Sequence, residues 1–254
     1  MNSEIYLHAK YYEIAFDFTN IPKQIDLFEE FMQAHSLIPV KSVLDMACGP
    51  SKQLREFARR GYKAIGLDMS DEMLAYLGER AAEENVVINT VKADMHDFEL
   101  AEKVDFAYIL MGSISYMRDN TDFINQLKSV AASLNTGGLF IIENLRVDWA
   151  SPEFWREQTW NMNRGLVSID TTHQLSLIDE LNQIIEQFLK LEVNDAGVIS
   201  VLEEKVAVKH LFPQELKTIV ELEGSFEFVG FFERSAVKQL SSADSNNLVV
   251  MRRR

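Results

Sequence analysis

The sequence predicts an α/β fold built on a mostly parallel sheet, and three observations carry that prediction. Short apolar segments alternate with helix-like segments from Val43 to Asn144. Each apolar segment is followed by a polar or small residue, as at Asp45, Asp68, Asp94, Met111-Gly112-Ser113 and Glu143-Asn144. After Asn144 the spacing changes to period-two alternation broken by turn signals, the mark of antiparallel strands with one wet face.

Taken in order, the first 40 or so residues read as helical. Asn20-Ile21-Pro22 starts a helix, and Ile25, Leu27, Phe28, Phe31 and Met32 give it an apolar stripe. Strands follow at Val43–Leu44, Ala64–Leu67, Val86–Val91, Phe106–Leu110 and Leu139–Ile142, with helices between them covering both faces. Gln53 to Arg60 is the first of these helices, and Gly61 stops it. Ser70 caps the next, with Asp71 and Glu72 in its first turn. Asn120-Thr121-Asp122 opens another, expected to end near Gly137-Gly138. Residues 149–212 form the β-rich insertion, with turns at Asn163-Arg164-Gly165 and Asn194-Asp195-Ala196-Gly197. A helix from Pro213 and strands at Phe226–Phe232 and Leu248–Met251 close the chain, so 1–148 and 213–254 make one domain around the insertion.

Composition bounds the function. The 254 residues carry 25 basic and 39 acidic side chains, a net charge of -14 that disfavours nucleic acid and anionic lipid as partners. No apolar run reaches the roughly 20 residues that span a bilayer, and the start lacks a signal-peptide pattern. The single cysteine, Cys48, fits a reducing cytoplasm. The five histidines show no metal-ligand spacing, so no metal is expected.

In an open α/β sheet, ligands bind beyond the carboxyl ends of the strands. Val43-Leu44-Asp45-Met46-Ala47-Cys48-Gly49-Pro50-Ser51 reads as strand, small-residue turn and helix start, with Gly49 the position of closest backbone approach. Asp68 ends the second strand, about 20 residues after the turn, where a carboxylate accepts from both ribose hydroxyls. Asp94 can accept from an adenine amino group, with Met69 and Met95 as polarisable surfaces for the ring. The alternatives are a helix cap for Asp68 and a turn aspartate for Asp94.

These residues resemble the class I S-adenosylmethionine-dependent methyltransferases over roughly Tyr11 to Asn144, and again in the last helix and two strands. The opening loop is similar to the family's acidic-x-Gly-x-Gly-x-Gly motif, with Ala47 and Ser51 in place of two glycines. Leu67-Asp68-Met69-Ser70, Ala93-Asp94-Met95 and Leu134 to Leu139 resemble its later motifs. The resemblance implies a Rossmann-like seven-stranded sheet with an antiparallel last strand and S-adenosylmethionine as cofactor, leaving as S-adenosylhomocysteine. It implies Asp45 and Gly49 at the methionine moiety, Asp68 at the ribose and Asp94 with Met95 at the adenine. Tyr11, Ala47, Cys48, Met69 and Met111 complete the expected cofactor surround.

The expected reaction is methyl transfer to a nitrogen or oxygen of a small molecule. Tyr12, Tyr116 and Glu143 are the candidate catalytic residues, and Tyr12, Tyr116, Arg146, His173 and His210 the candidate substrate contacts. The insertion is expected to be a substrate lid or the surface of a homodimer. Two rival readings stand. A nicotinamide-dependent oxidoreductase requires Gly-x-Gly-x-x-Gly, which Ala47-Cys48-Gly49-Pro50-Ser51-Lys52 does not supply. A non-catalytic cofactor-binding subunit would keep the same loop.

Overall fold

The computed structural model describes residues 4–244 and 246–254. Helices α1 (Ala9–Ala15) and α2 (Ile21–His35) precede β1 (Ser42–Met46), α3 (Lys52–Arg59), β2 (Lys63–Asp68), α4 (Asp71–Glu83) and β3 (Ile88–Lys92). Then come β4 (Val104–Ile109), α5 (Asn120–Ser133) and β5 (Leu134–Glu143). Strands β6 (Gln158–Arg164), β7 (Val167–Asp179), β8 (Ile184–Asp195) and β9 (Val198–Lys209) form the insertion, and α6 (Pro213–Glu223), β10 (Phe226–Glu233) and β11 (Asn247–Arg253) finish the chain.

The main sheet has seven strands in the order β10-β11-β5-β4-β1-β2-β3. Pairings β1–β2, β1–β4, β2–β3 and β4–β5 are parallel, while β11 runs antiparallel to both β5 and β10. Strands β1 and β4 are buried on both faces, which is why they read as continuous apolar runs. One face packs Phe28, Phe57, Phe106 and Tyr108 beneath α2 and α3; the other packs Leu127, Phe140, Leu216 and Phe226 beneath α5 and α6.

Local chemistry sets the helix starts. Asn20, Ser51 and Ser70 each accept a backbone N–H three residues on, and Asp119 caps α5. The end of α5 departs from expectation: it stops at Ser133 and passes straight into β5, so Gly137 and Gly138 lie within the strand. At Gly138 a Cβ would sit 2.4 Å from the Asp105 carbonyl oxygen. The double glycine thus permits close backbone approach to β4 rather than ending a helix.

Strands β6 to β9 make a separate antiparallel four-stranded sheet. Its β8–β9 turn carries Ala196 and Gly197 at φ 53° and 93°, as a two-residue hairpin requires. Ile169, Leu189, Leu191, Val193 and Leu202 on its inner face pack on Ile5, Ile14 and Ala15. The first helical segment therefore shares a core with the insertion. Among the described residues no helix is long and apolar enough to cross a membrane.

Candidate active site

Between β1 and α3 the chain turns through Ala47, Gly49 and Ser51, at φ 51°, 52° and 20°. Two residues that are not glycine thus hold conformations favoured by glycine, at a cost of about 1–2 kcal/mol each. Ser51 is fixed from both sides, donating to Asp45 Oδ2 at 2.6 Å and accepting from the Leu54 N–H at 3.1 Å. Burial pushes the Asp45 carboxyl well above its ordinary range, and the charges of Asp68 and Glu143 add to the rise, against the bond from Ser51. Cys48 is buried and its thiol is pushed well up, first by burial and then by Asp45 and Asp68; a thiol so held is a packing group.

Asp68 lies beside this loop at the carboxyl end of β2. Its Oδ2 accepts from the Gly49 N–H at 2.7 Å and its Oδ1 from the Ser70 N–H at 2.9 Å. Burial raises its pKa, opposed by the N–H groups of Ser70, Gly49 and Met69. The carboxylate keeps acceptor capacity for a ligand. Met69 and Met111 are 55% and 36% exposed at this edge, two apolar side chains left open where a ring would cover them. Two other expected contacts lie differently. Met95 is buried in the core beneath the sheet, and Tyr11 donates to Asp195 of the insertion at 3.1 Å. Asp94 closes a turn, accepting from the His96 N–H at 2.9 Å, and stays 45% exposed.

Glu143, expected at the substrate, is 1% exposed and engaged on both oxygens. It accepts from Gln24 Nε2 at 2.9 Å, Arg234 Nε at 2.6 Å and the Met111 N–H at 3.0 Å. It ties α2, the segment just after β10 and the loop after β4 together. Gln24 also lines a cleft of about 590 Å³ beyond the ends of β5 and β10, with Lys23, Arg234 and Asp244.

The other candidates converge under the insertion. Tyr12 feels the charges of Asp68 and Glu204 and its ring packs on Tyr6 and Phe16. The hydroxyls of Tyr6 and Tyr116 lie 2.7 Å apart, and Gln187 Nε2 donates to Tyr116 Oη at 3.2 Å. Arg146 Nη2 donates to Gln187 Oε1 at 2.7 Å. Burial raises the pKa of all three tyrosines, so they stay protonated at neutral pH. Burial, reinforced by Arg146, lowers His173 and His210 to about 4. His210 stands apart from the tyrosines, edge-on to Phe154 and Phe212.

Sequence reasoning missed Tyr6, Gln187 and Glu204. The last two had a signal: each is a polar residue in an inward apolar row. On β8 the row runs Ile185, Gln187, Leu189, Leu191, Val193, and on β9 Leu202, Glu204, Val206, Val208. His173 breaks the β7 row in the same way. The register sets His173 and Glu204 on either side of Leu189, with Gln187 two residues before Leu189 on the same strand, so the three polar breaks cluster around one position of the inner face. Among the described residues, no group of histidine, cysteine and carboxylate side chains could hold a metal ion.

Residues 43–138 match the family model described as a methyltransferase domain. Across 96% of both chains the fold superposes with a TM-score of 0.80 on an S-adenosylmethionine-dependent methyltransferase from Clostridium acetobutylicum, at 15% identity. Residues 43–138 thus resemble a methyltransferase domain, and the whole chain shares the fold of that methyltransferase. Among characterised sequences, it is 28% identical over 133 residues to dTDP-3-amino-3,4,6-trideoxy-alpha-D-glucopyranose N,N-dimethyltransferase of Streptomyces venezuelae, covering 52% of this chain and 50% of that one. It is 33% identical over 103 residues to dTDP-4-amino-2,3,4,6-tetradeoxy-D-glucose N,N-dimethyltransferase of Saccharopolyspora spinosa, covering 41% and 40%. The chain thus spans about half or less of the length of these two relatives.

Proposed function

We propose that this chain transfers a methyl group from S-adenosylmethionine to a nitrogen or oxygen of a small molecule, with nitrogen favoured by the names of its relatives. The observation that carries the reading is Asp68, a half-buried carboxylate at the end of β2 held by the N–H groups of Gly49 and Ser70. Its remaining acceptor capacity suits a ribose diol, Met69 and Met111 suit an adenosyl surface, and the Asp45 and Asp68 carboxyls suit a cationic ligand. When bound, the cofactor supplies an electrophilic methyl on sulfur.

The protein's own part is alignment and exclusion of water. Tyr12, next to Asp68, and Tyr116 present phenol oxygens that can hold the nucleophile. His173, held neutral at pH 7 by burial and Arg146, can accept a hydrogen bond from the nucleophile but is too weak a base to carry its proton away. Glu143 is assigned the positioning of the Met111 loop. Residues 149–212 form the roof over this chamber, and the exposed Val198, Ile199 and Val201 on edge strand β9 are offered to a second copy. Light scattering is expected to give a dimer; a monomer at high concentration contradicts the dimer face.

The test of function is turnover. Purified protein, given S-adenosylmethionine and a panel of small amines and hydroxyl compounds, is expected to form S-adenosylhomocysteine with at least one of them. Binding of the cofactor with no turnover across a broad panel would favour the non-catalytic subunit.

A further inference from the structure

Arg146 follows β5 by three residues and its side chain turns inward beneath the insertion. Nη2 donates to Gln187, and Gly112 lies against the guanidinium. Nη1 is buried with no hydrogen-bond partner. Among the described residues no carboxylate pairs with it, although the chain carries 39 acidic residues and ion pairs cover most of its other arginines. The groups nearest it are Tyr116, Gln187 and the imidazoles of His173 and His210, all uncharged at neutral pH; the carboxylates of Glu204 and Asp148 are felt by Tyr116 and His210 and make no ion pair with Arg146 among the described residues. A buried guanidinium without a counter-charge is costly, and burial pulls its pKa down to about 10. Such a group is stabilised by an anion that arrives with a ligand.

Resting on the methyltransferase reading above, we propose that the methyl acceptor is an anionic small molecule whose carboxylate or phosphate pairs with Arg146 while its nucleophile faces Tyr12 and Tyr116. The planar donor fork suits both anions. Tyr116 bridges the two ends of the chamber, bonded to Tyr6 on one side and to Gln187, the partner of Arg146, on the other. Acceptors lacking the anion leave the guanidinium unpaired and are disfavoured accordingly.

The test uses the full chain saturated with S-adenosylhomocysteine, titrated with acetate and with inorganic phosphate at constant ionic strength, binding being read by calorimetry. One of the two anions is expected to bind saturably, and which one does identifies the acceptor's charged group. Arg146→Met is expected to weaken that binding at least tenfold, and Arg146→Lys to restore part of it. Unchanged S-adenosylhomocysteine affinity in each variant certifies the fold. Saturable binding of neither anion, or equal binding by Arg146→Met, overturns the proposal while leaving the cofactor reading intact. Failure of the wild type to bind S-adenosylhomocysteine strikes the functional reading instead.

Discussion

At His210 two ring nitrogens are buried without a hydrogen-bond partner, between Phe154 and Phe212 and close enough to Arg146 to feel its charge. The folded state resists protonation until about pH 4, whereas the unfolded imidazole takes a proton near 6.5. Between those values the unfolded chain binds more protons, so stability falls as pH falls from 6.5 towards 4 and is complete above 6.5. Replacing His210 with Phe removes this contribution. The slope of unfolding free energy against pH over that window is expected to be shallower in His210→Phe, measured by urea denaturation at a series of pH values. An unchanged slope would mean that His210 is hydrated or paired in solution. His173 shows the same depression for the same reasons, so the variant is expected to keep part of the slope.

At the scale of elements, the joint between α1 and the rest of the molecule centres on Glu13. This carboxylate is 4% exposed and is bonded by Arg55 of α3, Arg164 of β6 and Tyr76 of α4. Burial works to raise its pKa, but the two guanidinium groups outweigh burial and hold it below the ordinary range. Glu13→Gln leaves two arginines facing a neutral amide, and a loss of about 3 kcal/mol is expected in equilibrium urea unfolding. A loss below 1 kcal/mol would show that water already screens the cluster.

The same elements show what the sequence makes legible. Strands β1, β2, β4 and β5 were readable because buried parallel strands are unbroken apolar runs ending in conspicuous polar residues. The same pattern places Asp45 and Asp68 at the carboxyl edge of the sheet. Gln187 and Glu204 are not legible this way, because a polar residue in an inward row gains meaning only once strand register groups it with His173 around Leu189, and Tyr6 is not because its partner Tyr116 lies 110 residues away. Glu143 is the converse case. Its place at a strand end was visible, while its partners Gln24 and Arg234 lie 119 and 91 residues away in sequence.

Across the whole molecule, two differently charged regions meet. The carboxyl edge of the main sheet gathers Asp45, Asp68 and Glu143, whereas the chamber under the insertion brings Arg146 together with neutral imidazoles, phenols and the Glu204 carboxylate. On the proposed reading, a cationic, ribose-bearing cofactor takes the first and the acceptor the second, with Tyr12 between them. The most direct measurement is calorimetric titration of wild type and Asp68→Ala with S-adenosylmethionine, and of wild type with NAD. Wild type is expected to bind S-adenosylmethionine and not NAD. Asp68→Ala is expected to lose about 3 kcal/mol, roughly 100-fold in affinity, for two hydrogen bonds to a charged group. Binding of NAD, or equal S-adenosylmethionine affinity in Asp68→Ala and wild type, would contradict the account.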